Sequence, residues 1–143
     1  MKKVVLMIVS ALICSIVLMS GCEKQNSDNI IGCWTNPKYE DNTAGKSIVC
    51  YEKSNSLLAD FAGIEFWKDG TLIERKNAGW CGTPPIAYNN YSGEWKMQNN
   101  NEIKINVAYW GGMEHRTCKI INVTNSTLKI EIMSRAYSEA CEF

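Results

Sequence analysis

The residues of this 143-residue chain best suited to redox or zinc chemistry are seven cysteines and one histidine. Zinc binding by thiolate and imidazole uses knuckles such as C-x₂₋₄-C, because closely spaced ligands must reach one ion. Cys33, Cys50, Cys81, Cys118 and Cys141 are too far apart in sequence for a knuckle, and His115 is the only histidine. No metal site and no cofactor are expected. Glu114-His115 sets an imidazole beside a carboxylate, but nucleophilic catalysis also needs a serine or cysteine within reach and a third group to orient the base. The sequence has no Gly-x-Ser-x-Gly elbow and no suggestively spaced carboxylate pair. No catalytic residue is assigned, and enzyme activity is not expected.

Cys14 and Cys22 belong to a different setting. Lys2 and Lys3 precede an uncharged run from Val4 to Met19, broken only by Ser10, Cys14 and Ser15, and the chain turns polar from Glu23 to Asn29. These are the parts of an export signal. The junction Met19-Ser20-Gly21-Cys22 resembles the lipobox of bacterial lipoproteins: an apolar residue, two small residues and a cysteine. The resemblance implies that diacylglycerol is added to the Cys22 thiol and that residues 1–21 are cleaved away. Acylation of the new amine then adds a further chain, since one chain alone binds a membrane only marginally. Residues 22–29 become a lipidated polar tether. By resemblance to enteric sorting rules, Glu23 after the cysteine favours the outer membrane, with the domain facing the periplasm or the exterior.

Removing residues 1–21 takes away Lys2 and Lys3 and no acid, so 13 Lys and Arg remain against 15 Asp and Glu. With no basic block, the chain lacks the clustered cations that phosphate backbones require, and nucleic acid is not an expected partner. Residues 30–143 are the size of one domain, expected as a monomer. Five cysteines remain there in an oxidising compartment, an odd number that allows at most two disulfides. Their pairing stays open among Cys33, Cys50, Cys81, Cys118 and Cys141. A C-terminal tail without a strand pattern needs tying down, which predicts a bridge at Cys141, to Cys81 or Cys50.

The elements that must position these residues read as short strands. Ile30 to Trp34 and Lys46 to Lys53 form the first two. Gly63 to Lys68 leads through Asp69-Gly70 into Thr71 to Arg75, a strong hairpin signal. Tyr91, Gly93, Trp95 and Met97 alternate with polar residues, as do Ile103, Ile105, Val107 and Tyr109, and Asn99-Asn100-Asn101 turns between them. Gly111-Gly112 turns into Arg116 to Val123, and Thr124-Asn125-Ser126 into Leu128, Ile130 and Ile132. Ser54 to Ala62 is the one candidate for a short helix. Strands that are half apolar and half polar, with no room for crossover helices, predict an all-β antiparallel up-and-down meander. Such a meander removes its edges by closing into a barrel; a two-sheet β-sandwich is the alternative.

Gly32-Cys33-Trp34 on the first strand of such a meander resembles the lipocalin fold and its bacterial lipocalin-like relatives. The resemblance implies that Trp34 plugs the closed end and that Arg135, after the last strand, lies across its ring as a cation–π contact. Gly32, Trp34 and Arg135 are then structural. The stretches Gly79-Trp80-Cys81-Gly82-Thr83-Pro84-Pro85 and Tyr109-Trp110-Gly111-Gly112 look like those of small uncharacterised lipoproteins of Bacteroidetes-type bacteria.

For binding, Ala78 to Ile86 is the most unusual segment: either a lip over the barrel mouth, with Trp80, Tyr88 and Tyr91 offering flat faces to a ligand, or a well-packed loop held by a disulfide through Cys81. Tyr109 follows the inward parity, so Trp110 falls on the outer face or rim. The expected function is that of a membrane-anchored β-barrel binding module for an apolar or amphipathic small molecule. The alternative is a protein-interaction lipoprotein, an inhibitor of a secreted enzyme or an envelope-assembly accessory, using the 78–92 loop. Trp34, Phe66, Trp95, Met97 and Tyr109 are bulky enough to fill much of the barrel.

Overall fold

The computed structural model describes residues 29–41, 47–79 and 85–139; Cys22, Trp80, Cys81 and Cys141 lie outside them. The described residues form eight strands: β1 Gly32–Asp41, β2 Ser47–Ser54, β3 Gly63–Phe66, β4 Thr71–Asn77, β5 Tyr88–Asn99, β6 Glu102–Tyr109, β7 Gly112–Val123 and β8 Thr127–Glu139. Every neighbour pair is antiparallel, and the sheet closes as a barrel in the order β1-β2-β8-β7-β6-β5-β4-β3. The all-β closed barrel anticipated from the alternation is the observed fold, and the sandwich is not.

From β3 to β8 the chain runs up and down between neighbours. The first hairpin departs from this. β2 and β3 are both antiparallel to β1, so they run parallel to each other and residues 55–62 must carry the chain back past β1. That task replaces the short helix expected at Ser54–Ala62 with bends and turns. Its carbonyls serve other elements: Ala62 accepts from the Asn36 amide at 3.2 Å, and Ala59 accepts from Arg75 Nε and Nη2 at 3.0 and 2.6 Å. At the β3–β4 turn only Gly70 takes a positive φ, 88°, while the Asp69 carboxylate accepts from the Thr71 amide and hydroxyl.

The lower half of the barrel is solid. Trp34, Ile64, Phe66, Leu72, Ile103, Ile105, Leu128 and Ile130 are buried together, and Trp95 packs edge-on to Phe66 with ring centroids 5.6 Å apart. β5 and β6 come close here, because any Cβ on inward-facing Gly93 would run into the Asn106 and Val107 backbone. Trp34 is fully enclosed, and its indole Nε1 donates to the Ile30 carbonyl at 2.7 Å, which ties the segment before β1 across the closed end. Gly32 enters β1 with φ 112°, a conformation that side chains rarely adopt.

The cation over Trp34 is Lys53, not Arg135. Lys53 stands directly opposite Trp34 on β2, with Nζ 4.0 Å from the ring centroid and donating to the Ile31 carbonyl at 2.8 Å. Arg135 cannot reach it, because β8 carries that residue beside Arg116, toward the other end of the barrel.

Cys33, Cys50 and Cys118 are free thiols. Cys118 faces the core, while Cys33 is on the opposite face of β1 from Trp34 and Cys50 is on the outer face of β2, where it donates to Glu40 at 3.3 Å. The barrel wall separates Cys118 from Cys33 and Cys50, and the bridge expected at Cys141, to Cys81 or Cys50, involves residues outside the described ones. Burial, with Glu65 nearby, pushes the Cys33 thiol up to about 11, and burial pushes Cys118 up to about 11.

Trp34→Ala is expected to lower unfolding free energy by about 3–5 kcal/mol, and Lys53→Met by about 0.5–1 kcal/mol, in urea titrations. A Lys53→Met protein as stable as the parent would mean that the cation contributes nothing to the closed end.

Candidate functional site

Alternation along the strands decides which side chains enter the upper barrel. Leu72 faces the core, so Glu74 and Lys76 follow it inward on β4; Cys118 faces the core, so Arg116 and Glu114 share its side of β7. On β8 the register shifts between the pairs Cys118–Ile132 and Thr117–Ser134, leaving Met133 as an extra residue, and this turns Arg135 and Tyr137 inward. On β1 a second bulge at Asn36-Pro37, with Asn36 at φ 55°, brings Tyr39 opposite inward-facing Val49. Pro37 has no amide hydrogen to donate, which suits it to the bulge.

The result is a network of five charged side chains. Glu74 Oε2 accepts from Arg116 Nη2 at 2.7 Å and from Lys76 Nζ at 3.0 Å. Glu114 Oε2 accepts from Lys76 Nζ at 2.9 Å, and Glu114 Oε1 is ion-paired with Arg135 Nε, also at 2.9 Å. Arg116 Nε lies 3.6 Å from Glu114 Oε1, too far for a hydrogen bond, and among the described residues it is the one buried side-chain polar atom without a partner.

Glu74, Glu114 and Arg116 are nearly enclosed, at 7, 6 and 7% exposure. Ions so placed persist only when paired. Burial opposes the charge on Glu74, but Arg116 and Lys76 outweigh it and hold the carboxyl below the usual carboxylate range. Burial likewise opposes the Arg116 charge, and Glu74 outweighs it, so its pKa is raised. Both carboxylates are engaged with cations, so neither is poised as a free general base.

Two clefts open above the network. One, of about 200 Å³, is lined by its members together with Tyr39 and Tyr51. The other, of about 530 Å³, is bounded by Lys76, Asn77, Tyr109, Trp110, Glu114 and Tyr137. They share Lys76, Glu114 and Tyr137, so a charged floor continues into an aromatic wall. Tyr109 meets Trp110 and Tyr137 edge-on, at centroid distances of 5.6 and 5.4 Å. Such a surface suits a small molecule with one polar end and one flat apolar end.

The aromatic residues singled out for binding are partly dispersed. Trp110 stands at the rim, 54% exposed. Tyr91 points inward, donates to the Asn77 carbonyl at 3.4 Å and lies 5.7 Å from Lys76 Nζ. Tyr88, three residues away on the same strand, faces the opposite side, so the two do not form one lip.

His115 does meet a serine and an orienting group, contrary to the reading of its local sequence. Nε2 is 3.2 Å from Ser138 Oγ, Nδ1 is 2.9 Å from Asn106 Oδ1, and Asn106 Nδ2 donates to Glu94 at 3.0 Å. The order matches a hydrolytic triad, but these side chains lie on the outer face of the sheet, outside both clefts of the mouth. They form a cross-strand polar ladder, and the cleft of about 630 Å³ that reaches Glu94 and Asn106 is not lined by His115 or Ser138. Among the described residues no group of three His, Cys, Asp or Glu converges to hold a metal ion.

Sequence reasoning did not select Glu74, Lys76, Glu114 or Arg116. A signal was present: Glu114 and Arg116 share the parity of Cys118 and Ile120, and Glu74 shares that of Leu72, which places charge on a face otherwise apolar. Fold and mouth together define a small closed antiparallel barrel with a filled base and a charged, aromatic-rimmed opening. Compared with protein-family models, curated proteins and solved structures, the chain matches none.

The depressed Glu74 pKa sets a direction with pH. Folding favours its charged form, so the stability it contributes is complete above the ordinary value of 4.5 and is lost as pH falls through the lower folded value. Denaturation midpoints should therefore fall on acidification from about pH 6 to about pH 3. Glu74→Gln should be about 3–5 kcal/mol less stable at neutral pH, since it strands Arg116, and should show a flatter acid limb. An acid limb unchanged by Glu74→Gln would show that other carboxylates govern it.

Proposed function

We propose that the protein is a bacterial lipoprotein, anchored in the cell envelope through lipid on Cys22, whose barrel binds a small amphipathic molecule at its open end. The mouth carries this reading: a cleft of about 530 Å³, within the range of small-molecule sites, joins a polar floor to a wall of three aromatic rings. The filled base directs a ligand to the mouth and away from the depth of the barrel. The anchor rests on Met19-Ser20-Gly21-Cys22 and the polar stretch after it. A tether of that kind lets the barrel stand off the bilayer with its mouth free.

A second reading is favoured by the exposure of the same rim. Tyr39, Trp110 and Tyr137 are 66, 54 and 57% exposed, and aromatic side chains of this kind anchor protein interfaces. An envelope protein or secreted enzyme seated on the rim would then be the occupant.

Cells grown with an alkyne-tagged palmitate should label the wild-type protein and retain it in membranes, whereas Cys22→Ser should lose both the label and membrane retention. Titration with the neutral amphipathic dye N-phenyl-1-naphthylamine should saturate and weaken about tenfold in Trp110→Ala, as loss of one stacking aromatic implies. Non-saturable dye uptake would remove the small-molecule reading. A partner captured by the wild type and lost in Trp110→Ala, without saturable dye binding, would establish the second.

A further inference from the structure

The mouth has a charge imbalance with a definite shape. Lys76, Arg116 and Arg135 face two carboxylates, Glu74 and Glu114, so one positive charge in the network is unmatched by its own members. The imbalance is built into a largely enclosed site, because Arg116 is buried with its Nε–H unpartnered. A buried guanidinium N–H without an acceptor is uncommon in folded proteins, and an arriving anion is one group that would satisfy it. Arg135 presents the accessible side of the network: Nε is held by Glu114 while its side chain stays 38% exposed.

The surroundings limit what the rest of the ligand can be. Around the charges pack Tyr51, Ile105 and Val107, all buried, with Ile105 paired to Arg116 and Val107 to Glu114, and Trp34 and Phe66 continue the same core. A long acyl chain has no channel to descend. Beside the charges lies the cleft of Tyr109, Trp110 and Tyr137, which shares Lys76 and Glu114 with the charged floor.

Building on the small-molecule reading above, we propose that the mouth is selective for a flat monoanion: an aromatic carboxylate whose charged group lies among Lys76, Arg116 and Arg135 and whose ring packs in the Tyr109–Trp110–Tyr137 cleft. A carboxylate is planar and matches the forked donors of arginine. A single negative charge neutralises the single excess positive one. The ring meets the edge and face contacts that aromatic groups prefer.

The test uses the full-length chain in lipid nanodiscs, with empty nanodiscs as the reference, and isothermal titration with 2-naphthoate, 2-naphthylmethanol and dodecanoate. The naphthoate is expected to bind at least about tenfold more tightly than the alcohol, as a charge-assisted hydrogen bond implies. Arg135→Gln, with an unchanged circular dichroism spectrum, should reduce that preference to near unity, and Trp110→Ala should weaken both naphthyl probes alike. Equal affinity for acid and alcohol would overturn the anion selectivity and leave the small-molecule reading standing. Binding of none of the three would overturn both. Dodecanoate binding more tightly than naphthoate would overturn the flat-ligand assignment, since it requires a channel that the filled base does not provide.

Discussion

The upper half of this barrel depends on a buried ion pair. Glu74 on β4 and Arg116 on β7 meet at 2.7 Å with both side chains nearly enclosed, and neither would be stable there alone. Their strands are not neighbours in the sheet, with β5 and β6 between them, so the pair links opposite walls across the lumen. Lys76 and Glu114 extend the link, and Arg135 brings in β8. Where the lower barrel is closed by contact among aliphatic and aromatic side chains, the upper barrel is closed by charge. That difference creates a mouth, because polar groups leave clefts that a packed apolar core does not.

The strand pattern of the sequence carried most of this architecture. Alternation along Ile103, Ile105, Val107 and along Trp95 and Met97 gave the correct inward faces, and Asp69-Gly70, Asn99-Asn100-Asn101 and Gly111-Gly112 marked real turns. Parity failed where the register slips. The extra residue at Met133 turns Arg135 inward, and the Asn36-Pro37 bulge does so for Tyr39, whereas simple alternation from Ile132 or Trp34 points both outward. A bulge is a local backbone event, and the side chains on either side of it read as ordinary strand. The family resemblance misled at Arg135 for a related reason. It assigned a role by position after the last strand, while the structure places a different cation, Lys53, opposite Trp34. The crossing of residues 55–62 past β1 was equally hidden, since hairpin-like spacing does not reveal which neighbour a strand selects.

The two ends of the molecule divide its tasks. The closed end holds Trp34 under Lys53 and ties Ile30 to the base through one hydrogen bond, which fixes the segment that enters β1. The open end keeps its charges paired and its aromatic residues exposed. If lipid on Cys22 supplies membrane attachment, Trp110 and Tyr137 are free to contact something other than a bilayer. Stability and recognition then sit at opposite ends and can vary independently, apart from the ion-pair network that serves both.

The upper barrel stands on the coupling between Glu74 and Arg116, and a double-mutant cycle measures it most directly. Glu74→Leu, Arg116→Leu and the double variant would be compared with the parent in urea unfolding at neutral pH. Each single change strips one buried ion of its closest partner, leaving Glu74 with Lys76 alone or Arg116 with Glu114 at 3.6 Å, whereas the double change removes both and leaves apolar side chains in their place. The double variant should therefore be less destabilised than the sum of the singles, with an interaction energy above about 1.5 kcal/mol. Additivity to within about 0.5 kcal/mol would mean that the two charges do not hold the walls together, and the electrostatic origin of the mouth would be wrong.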